Sequence, residues 1–188
     1  MQAEPEPKTS TTKKARVAKA LASQLAMPKL SMPRLSMPKL SMQVQYASGA
    51  ENLPSAAEFK KWARKALRVD SEIALRIVDE AEGRALNKAY RGKDYATNVL
   101  TFPLTEEPHL MGDIVICAPV VASEAAGQHK SLKAHFAHLT VHGVLHLHGY
   151  DHEIEAQAEL MESIETEIVM KLGYPDPYLA DNSLSETP

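Results

Sequence analysis

The sequence predicts an α+β domain, a small mixed sheet of four strands packed with about four to five helices. Three observations carry that expectation. Short β-branched runs alternate with longer segments whose apolar residues recur every three or four positions. Proline, glycine and polar clusters separate these segments. The chain of 188 residues, 44% apolar, is long enough to bury one sizeable core. No apolar run approaches the roughly 18 residues needed to span a bilayer. The acid-rich helical segment near the C-terminus and the short strands before it fit helices laid on one face of a sheet.

The elements follow in order. Val44 and Tyr46 alternate with polar neighbours and open the first strand from Gln43. A helix runs from Ser55 to about Arg68, with Phe59, Trp62, Ala63, Ala66 and Leu67 on its apolar face. Its other side carries Lys60, Lys61, Arg64, Lys65 and Arg68, a pattern that reads first as solvated surface and second as a phosphate-gripping face. Glu72 to Val78 is a strand with Ile73, Leu75 and Ile77 on one side, and a helix follows through Leu86 and Tyr90. Thr97 to Phe102 and Gly112 to Cys117 are β-branched strands, joined across Pro103 and an acidic turn. Helices are expected from Pro119 to Gln128, from Ser131 or Leu132 through His146, and from Glu153 to Leu172, the last closed by Gly173 and Pro175.

Residues 1–42 read differently. Positions 27–42 repeat Met-Pro-Lys/Arg-Leu-Ser, with a proline in every unit that blocks helix propagation. The unit is too short to bury a face, so 1–42 is expected to be a disordered basic tail, 43–180 a single catalytic domain, and 181–188 a frayed end. Eight basic residues against Glu4 and Glu6 give the tail a charge of +6, leaving −9 on the remainder of a chain whose net charge is −3. A basic arm on an acidic body reads as an RNA- or ribosome-binding tail or as a dispensable extension. A single cysteine, Cys117, excludes an internal disulfide, and no secretory signal is seen, so a reducing, cytoplasmic location is expected.

The chemistry concentrates in His142 to His152, H-G-V-L-H-L-H-G-Y-D-H, which holds four of the eight histidines. His142 and His146 lie four apart on a helical background and share a face. Gly149 lets the helix stop and the chain turn back. His152 then brings a third imidazole to the same point. Three imidazoles with a fourth position open hold a catalytic zinc, so one Zn2+ on His142, His146 and His152 is expected on a helix–turn near the C-terminus. The spacing matches the metzincin ligand frame H-E-x-x-H-x-x-G-x-x-H, but Gly143 stands where those peptidases carry the glutamate base.

Two further segments extend the pattern. L-N-K-A-Y-R-G-K-D-Y-A-T-N-V-L-T-F-P (86–103) and G-D-I-V-I-C (112–117), together with the histidine block, resemble the YbeY endoribonucleases, which are rRNA maturation factors. The similarity spans about residues 43–180, and Asn98 stands where many members have aspartate. The resemblance implies a zinc-dependent, single-strand-specific endoribonuclease acting in 3′ end maturation of small-subunit rRNA and in ribosome quality control. It implies the same three zinc ligands and a functional arginine at Arg91. A guanidinium suits the charge that builds on a cleaving phosphodiester, whereas an ion pair with Asp94 is the structural alternative for Arg91. The implied partners are rRNA and the small ribosomal subunit, with a ribosomal protein or an assembly GTPase as further candidates, and neither DNA nor membrane.

The neighbouring polar residues carry less. Asp151 is read as a carboxylate orienting a ligand imidazole or capping the final helix; His138 as lining or filling the cleft; His148 as solvated; Cys117 as a buried apolar side chain. Two alternatives stand beside the nuclease: a metzincin-like zinc peptidase with another base, and a non-catalytic ribosome-assembly factor whose zinc is structural.

Overall fold

The computed structural model describes residues 37–105, 109–152 and 154–179. Strand β1 (Leu40–Tyr46) leads into helix α1 (Ala56–Ala66), and β2 (Ser71–Val78) into α2 (Glu80–Arg91). Strands β3 (Val99–Pro103) and β4 (Leu110–Cys117) come next, then α3 (Ala118–Gly127), α4 (Leu132–Leu147) and α5 (Glu155–Lys171). The sheet order is β1-β2-β4-β3. β1, β2 and β4 run parallel, with Val44 opposite Leu75 and Leu75 opposite Ile114. β3 joins antiparallel, its Thr101 opposite Ile114 and its Pro103 opposite Gly112. This is the mixed α+β sheet the sequence predicts.

Local chemistry sets the ends of the helices. Ser55 caps α1 in a capping box: the Glu58 N–H donates to Ser55 Oγ at 3.4 Å, and the Ser55 N–H donates to Glu58 Oε2 at 2.9 Å. Asp79 caps α2 and Ser131 caps α4 without the reciprocal bond, each accepting from a main-chain N–H three residues on. α4 and α5 both end in Schellman turns. After α4 the Tyr150 N–H donates to the Leu145 carbonyl and the Gly149 N–H to that of His146, with Gly149 at φ +80°.

The strands alternate, and their two faces find different partners. Ile73, Leu75, Ile77, Ile114 and Ile116 meet Phe59 and Trp62 of α1, Phe136 and Val144 of α4, and Met161 and Val169 of α5. Phe59 stands edge-on to both Trp62 and Phe136, at 5.3 and 6.0 Å between ring centroids. Each such side chain, withdrawn fully from water, contributes about 1.5–3 kcal/mol. On the other face Val78, Leu100, Val115 and Cys117 pack with Leu86 of α2 and Val120 of α3. Helices therefore lie on both faces, correcting the one-face expectation. Residues of opposite parity on β4 are both apolar, and the second apolar set needs its own cover.

Two boundaries also move. β1 begins at Leu40, three residues before Gln43, so the end of the repeat tract contributes Leu40 and Met42 to the domain, with Met42 packed in the core. The remainder of the expected tail, residues 1–36, and all of 181–188 lie outside the described residues. Pro103, expected in the connection, is the last residue of β3.

α4 is the centre of the packing. Ten of its sixteen residues are buried, on nearly every side, as expected of a helix enclosed by other elements rather than laid on a surface. Its Gly143 lets it close on the sheet: a Cβ there would lie 3.1 Å from Ile114 Cγ2 and 3.4 Å from Thr101 Cγ2.

Candidate metal centre and its cavity

His135, His138, His142 and His146 follow one another at three- and four-residue steps along α4, forming a ladder of imidazoles on one strip of an otherwise apolar helix. Successive ring centroids are 6.2, 6.2 and 4.5 Å apart. The turn at Gly149 folds the chain back so that the His152 ring lies 5.6 Å from that of His142 and 5.0 Å from that of His146. One ligand nitrogen from each of His142, His146 and His152 falls within 4.8 Å of the other two. The three residues singled out from the sequence are thus brought together.

The donor set fits a metal ion. His142 Nε2 and His146 Nε2 face each other at 3.0 Å. Two imidazole nitrogens on a tetrahedral zinc stand about 3.3 Å apart, from a Zn–N distance near 2.05 Å. Burial, with His142 and His152 close by, pushes the His146 imidazole down to about 4, so it is neutral and its lone pair is available at pH 7. His142 is set in the matching tautomer: its Nδ1–H donates to Glu165 Oε1 at 2.8 Å, leaving Nε2 unprotonated toward the centre. His152 is exposed, so the trio is open on that side.

Glu165 is the residue that sequence reasoning missed. Its side chain on α5 is fully buried, and its oxygens accept from His142 Nδ1, from His138 Nε2 at 2.7 Å, and from the Tyr178 hydroxyl. Burial alone would raise its carboxyl, but the bonds from His138 and His142 outweigh that and hold it at about 2. The same contact, together with burial, raises the Tyr178 hydroxyl above its ordinary value. A signal was present, because Glu165 shares its helix strip with the core residues Met161 and Val169, four residues away on either side. His138, Glu165 and His142 also form a second group of metal-ligand type, but their direct hydrogen bonds already satisfy the carboxylate.

On the other side of the trio, His146 and His152 wall a cavity of about 600 Å3 with Arg91, Lys93, Tyr150 and Asp151. Arg91 is exposed at the end of α2, and its alternative partner is taken: Asp94 pairs with Arg84 at 2.8 Å and with Lys88 at 3.2 Å. Among the described residues no carboxylate pairs with Arg91. Its guanidinium is left for an anion in the cavity.

Asp151 accepts from the His152 main-chain N–H at 2.7 Å and does not cap α5, whose N-cap is Ile154. His148, expected to be solvated, is half-buried and its Nε2 accepts from the Arg68 N–H at 3.4 Å. Cys117 lies in the second apolar cluster, with its thiol raised by burial, and belongs to neither group of metal-ligand type. Asn98 Nδ2 donates to both oxygens of Glu124, at 3.1 and 3.0 Å, while His135 Nε2 lies 2.8 Å from the same carboxylate. An aspartate at 98 would face Glu124 charge to charge, so the amide suits this chain.

Gly143 decides the peptidase question. A glutamate there would start with its Cβ against Ile114 and would direct a carboxylate into the helix–sheet core. Gly143→Glu restores the metzincin spelling, yet it should destabilise the protein by at least about 3 kcal/mol and confer no peptide turnover. A thermal melt and a casein assay check both; a stable variant that cleaves casein would overturn this account of the glycine.

An α+β sheet carrying three convergent imidazoles, beside a cavity lined by a guanidinium with no carboxylate partner among the described residues, is an arrangement that could hold a metal ion next to an anionic group. The family model Endoribonuclease YbeY matches residues 43–173, and the chain belongs to that family. It is 69% identical over 140 residues to the Endoribonuclease YbeY of Methylobacillus flagellatus, covering 74% of this chain and 94% of the relative. It is 59% identical over 140 residues to that of Aromatoleum aromaticum, covering 73% and 91%. A solution structure of a Thermotoga maritima protein matches with a TM-score of 0.48 at 26% identity, over 73% of this chain and 99% of that one.

Proposed function

We propose that this chain is a zinc-dependent endoribonuclease that cleaves single-stranded RNA and matures the 3′ end of small-subunit rRNA, with a part in ribosome quality control. The observation that carries this reading is the meeting of His142, His146 and His152 within 4.8 Å, the last two of them walling the cavity that Arg91 also lines. Membership of the endoribonuclease family supplies the substrate class. Those three imidazoles would hold the zinc, which supplies Lewis acidity at the scissile phosphodiester.

The chain's own residues do the rest. Arg91 presents a planar fork of N–H donors that grips two phosphate oxygens, and Lys93 adds positive charge in the same cavity. Glu165 keeps His142 in the tautomer that offers Nε2. Tyr150 gives the cavity an aromatic wall on which a base can stack. At about 600 Å3 the cavity has the size of a small-molecule site, suited to a nucleotide-sized stretch of strand rather than a duplex.

The peptidase alternative lacks its base at Gly143, and a purely structural zinc is disfavoured because the described residues gather three imidazoles there, where structural sites take four protein ligands. The partners in this reading are rRNA and the small ribosomal subunit, with a ribosomal protein or assembly GTPase presenting them, in the cytoplasm.

Two measurements test the proposal. Gently purified protein should carry about one zinc per chain; far less, with none regained on addition, overturns the metal assignment. Sequencing of small-subunit rRNA 3′ ends should show unprocessed tails in cells where Arg91→Ala replaces the natural chain, and normal ends would remove the rRNA role.

A further inference from the structure

We propose that the basic face of α1 extends the cavity into a track that grips the phosphate backbone of single-stranded RNA several nucleotides from the cleavage point. The proposal rests on the endoribonuclease reading and adds the surface that carries the rest of the strand.

Apart from Lys39 at the start of β1, the described cations of the domain divide into two sets. Arg76, Arg84, Lys88, Lys133 and Lys171 are paired with carboxylates on their own or neighbouring elements, and Lys130 donates to the Pro177 carbonyl. Lys60, Lys61, Arg64, Lys65 and Arg68, like Arg91 and Lys93 in the cavity, have no ion pair among the described residues. Lys61, Arg64, Lys65 and Arg68 are exposed. Favourable placement at the negative end of a helix accounts for Arg64 and Lys65 in the last turn of α1. It does not account for Lys61 a turn earlier, nor for Arg68 beyond the helix.

The two unpaired groups are physically joined. The Arg68 main-chain N–H donates to His148 Nε2 at 3.4 Å, and its guanidinium lies 5.1 Å from the centroid of the Tyr150 ring. Tyr150 walls the cavity with Arg91, Lys93, His146 and His152. Basic side chains therefore run from the metal centre over Tyr150 and onto α1. Residues four apart on a helix rise by about 6 Å, so Lys61 and Lys65 can take successive phosphates of an extended strand. Charge complementarity selects the occupant: residues 43–188 carry a net charge of −9, and on that body a polyanion is drawn to the strip of cations that no carboxylate neutralises among the described residues. The face that the sequence reads first as solvated surface is, in this arrangement, an RNA surface.

The test uses the full-length, zinc-loaded chain with Lys61→Gln, Arg64→Gln and Lys65→Gln combined, sparing Arg68 because it lies against the Tyr150 ring of the cavity wall, on a single-stranded RNA of about 20 nucleotides and on a tetranucleotide. These exposed changes should leave the melting temperature within a few degrees. KM for the long RNA should rise about tenfold or more, and the slope of log kcat/KM against log salt should shrink by about 2, at roughly 0.7 per lost phosphate contact. The kcat on both substrates and KM for the tetranucleotide should not change. An unchanged long-RNA KM and salt slope, in a protein still inactivated by Arg91→Ala, would overturn the track and leave the nuclease standing. Loss of binding to the small ribosomal subunit with unchanged affinity for naked RNA would also overturn it, assigning the face to a protein. If the unaltered chain cleaves neither RNA, both readings fall together.

Discussion

Arg91→Ala should lower the rate of single-stranded RNA cleavage by about 10²–10³, the usual consequence of removing one donor aimed at developing charge in an active site. The fold should be untouched. Arg91 is exposed, and the acid it would otherwise hold, Asp94, is already bound by Arg84 and Lys88. A substitution of this kind at the surface changes stability by no more than about 0.5 kcal/mol. Circular dichroism and zinc content should therefore match the natural chain while turnover collapses. Arg91→Lys should recover only part of the rate, since a lysine brings the charge without the two-pronged geometry. Single-turnover cleavage of a labelled RNA at saturating enzyme separates the step from binding. A rate within threefold of the natural chain would show that the cavity works without this guanidinium.

Glu165→Gln should weaken zinc binding by about 10–100-fold, the range seen when the hydrogen-bond partner of a metal-ligating histidine is changed. The amide keeps the shape of the side chain but not its charge, and its NH2 group cannot accept from the donors that now converge there. With the carbonyl oxygen kept for His138 and Tyr178, which already share Oε2, His142 loses the acceptor that fixes its tautomer. Removing one member of a buried, charge-assisted set also costs about 3–5 kcal/mol of stability. Competition with a chelator reads the affinity, and denaturant titration of metal-free protein reads the stability. If a folded Glu165→Gln protein held zinc as tightly as the natural chain, the role assigned to the carboxylate would be withdrawn.

Much of this architecture was legible from residue spacing. The apolar positions Phe59, Trp62, Ala63 and Ala66 announced α1, and they are the residues it buries. The alternation of Ile73, Leu75 and Ile77 announced β2. His142, His146 and His152 converge because a four-residue helical step and a glycine turn are local geometry, and local geometry is what a sequence expresses directly. What stayed hidden depends on contacts far apart in the chain. Glu165 reads as one more acid on an acidic helix until His138 and His142, 27 and 23 residues upstream, are seen to reach it. The ion-pair alternative for Arg91 could not be weighed without knowing that Arg84 and Lys88 had claimed Asp94. The proline-bearing repeat argued against structure at Leu40–Met42, yet pairing with Ser71–Ile73 of β2 gives those residues a partner that no local pattern reveals.

The burial of α4 on nearly all sides has a consequence for how this protein can diversify. The helix that supplies two of the three histidines proposed as ligands also supplies Phe136, Val141, Val144 and Leu145 to the core. A change that shifted its axis to retune the centre would disturb the whole interior. Adaptation to new substrates is therefore confined to the rim, where Arg91, Lys93 and Tyr150 stand on a helix end and two loops, while the chemistry beneath them stays fixed.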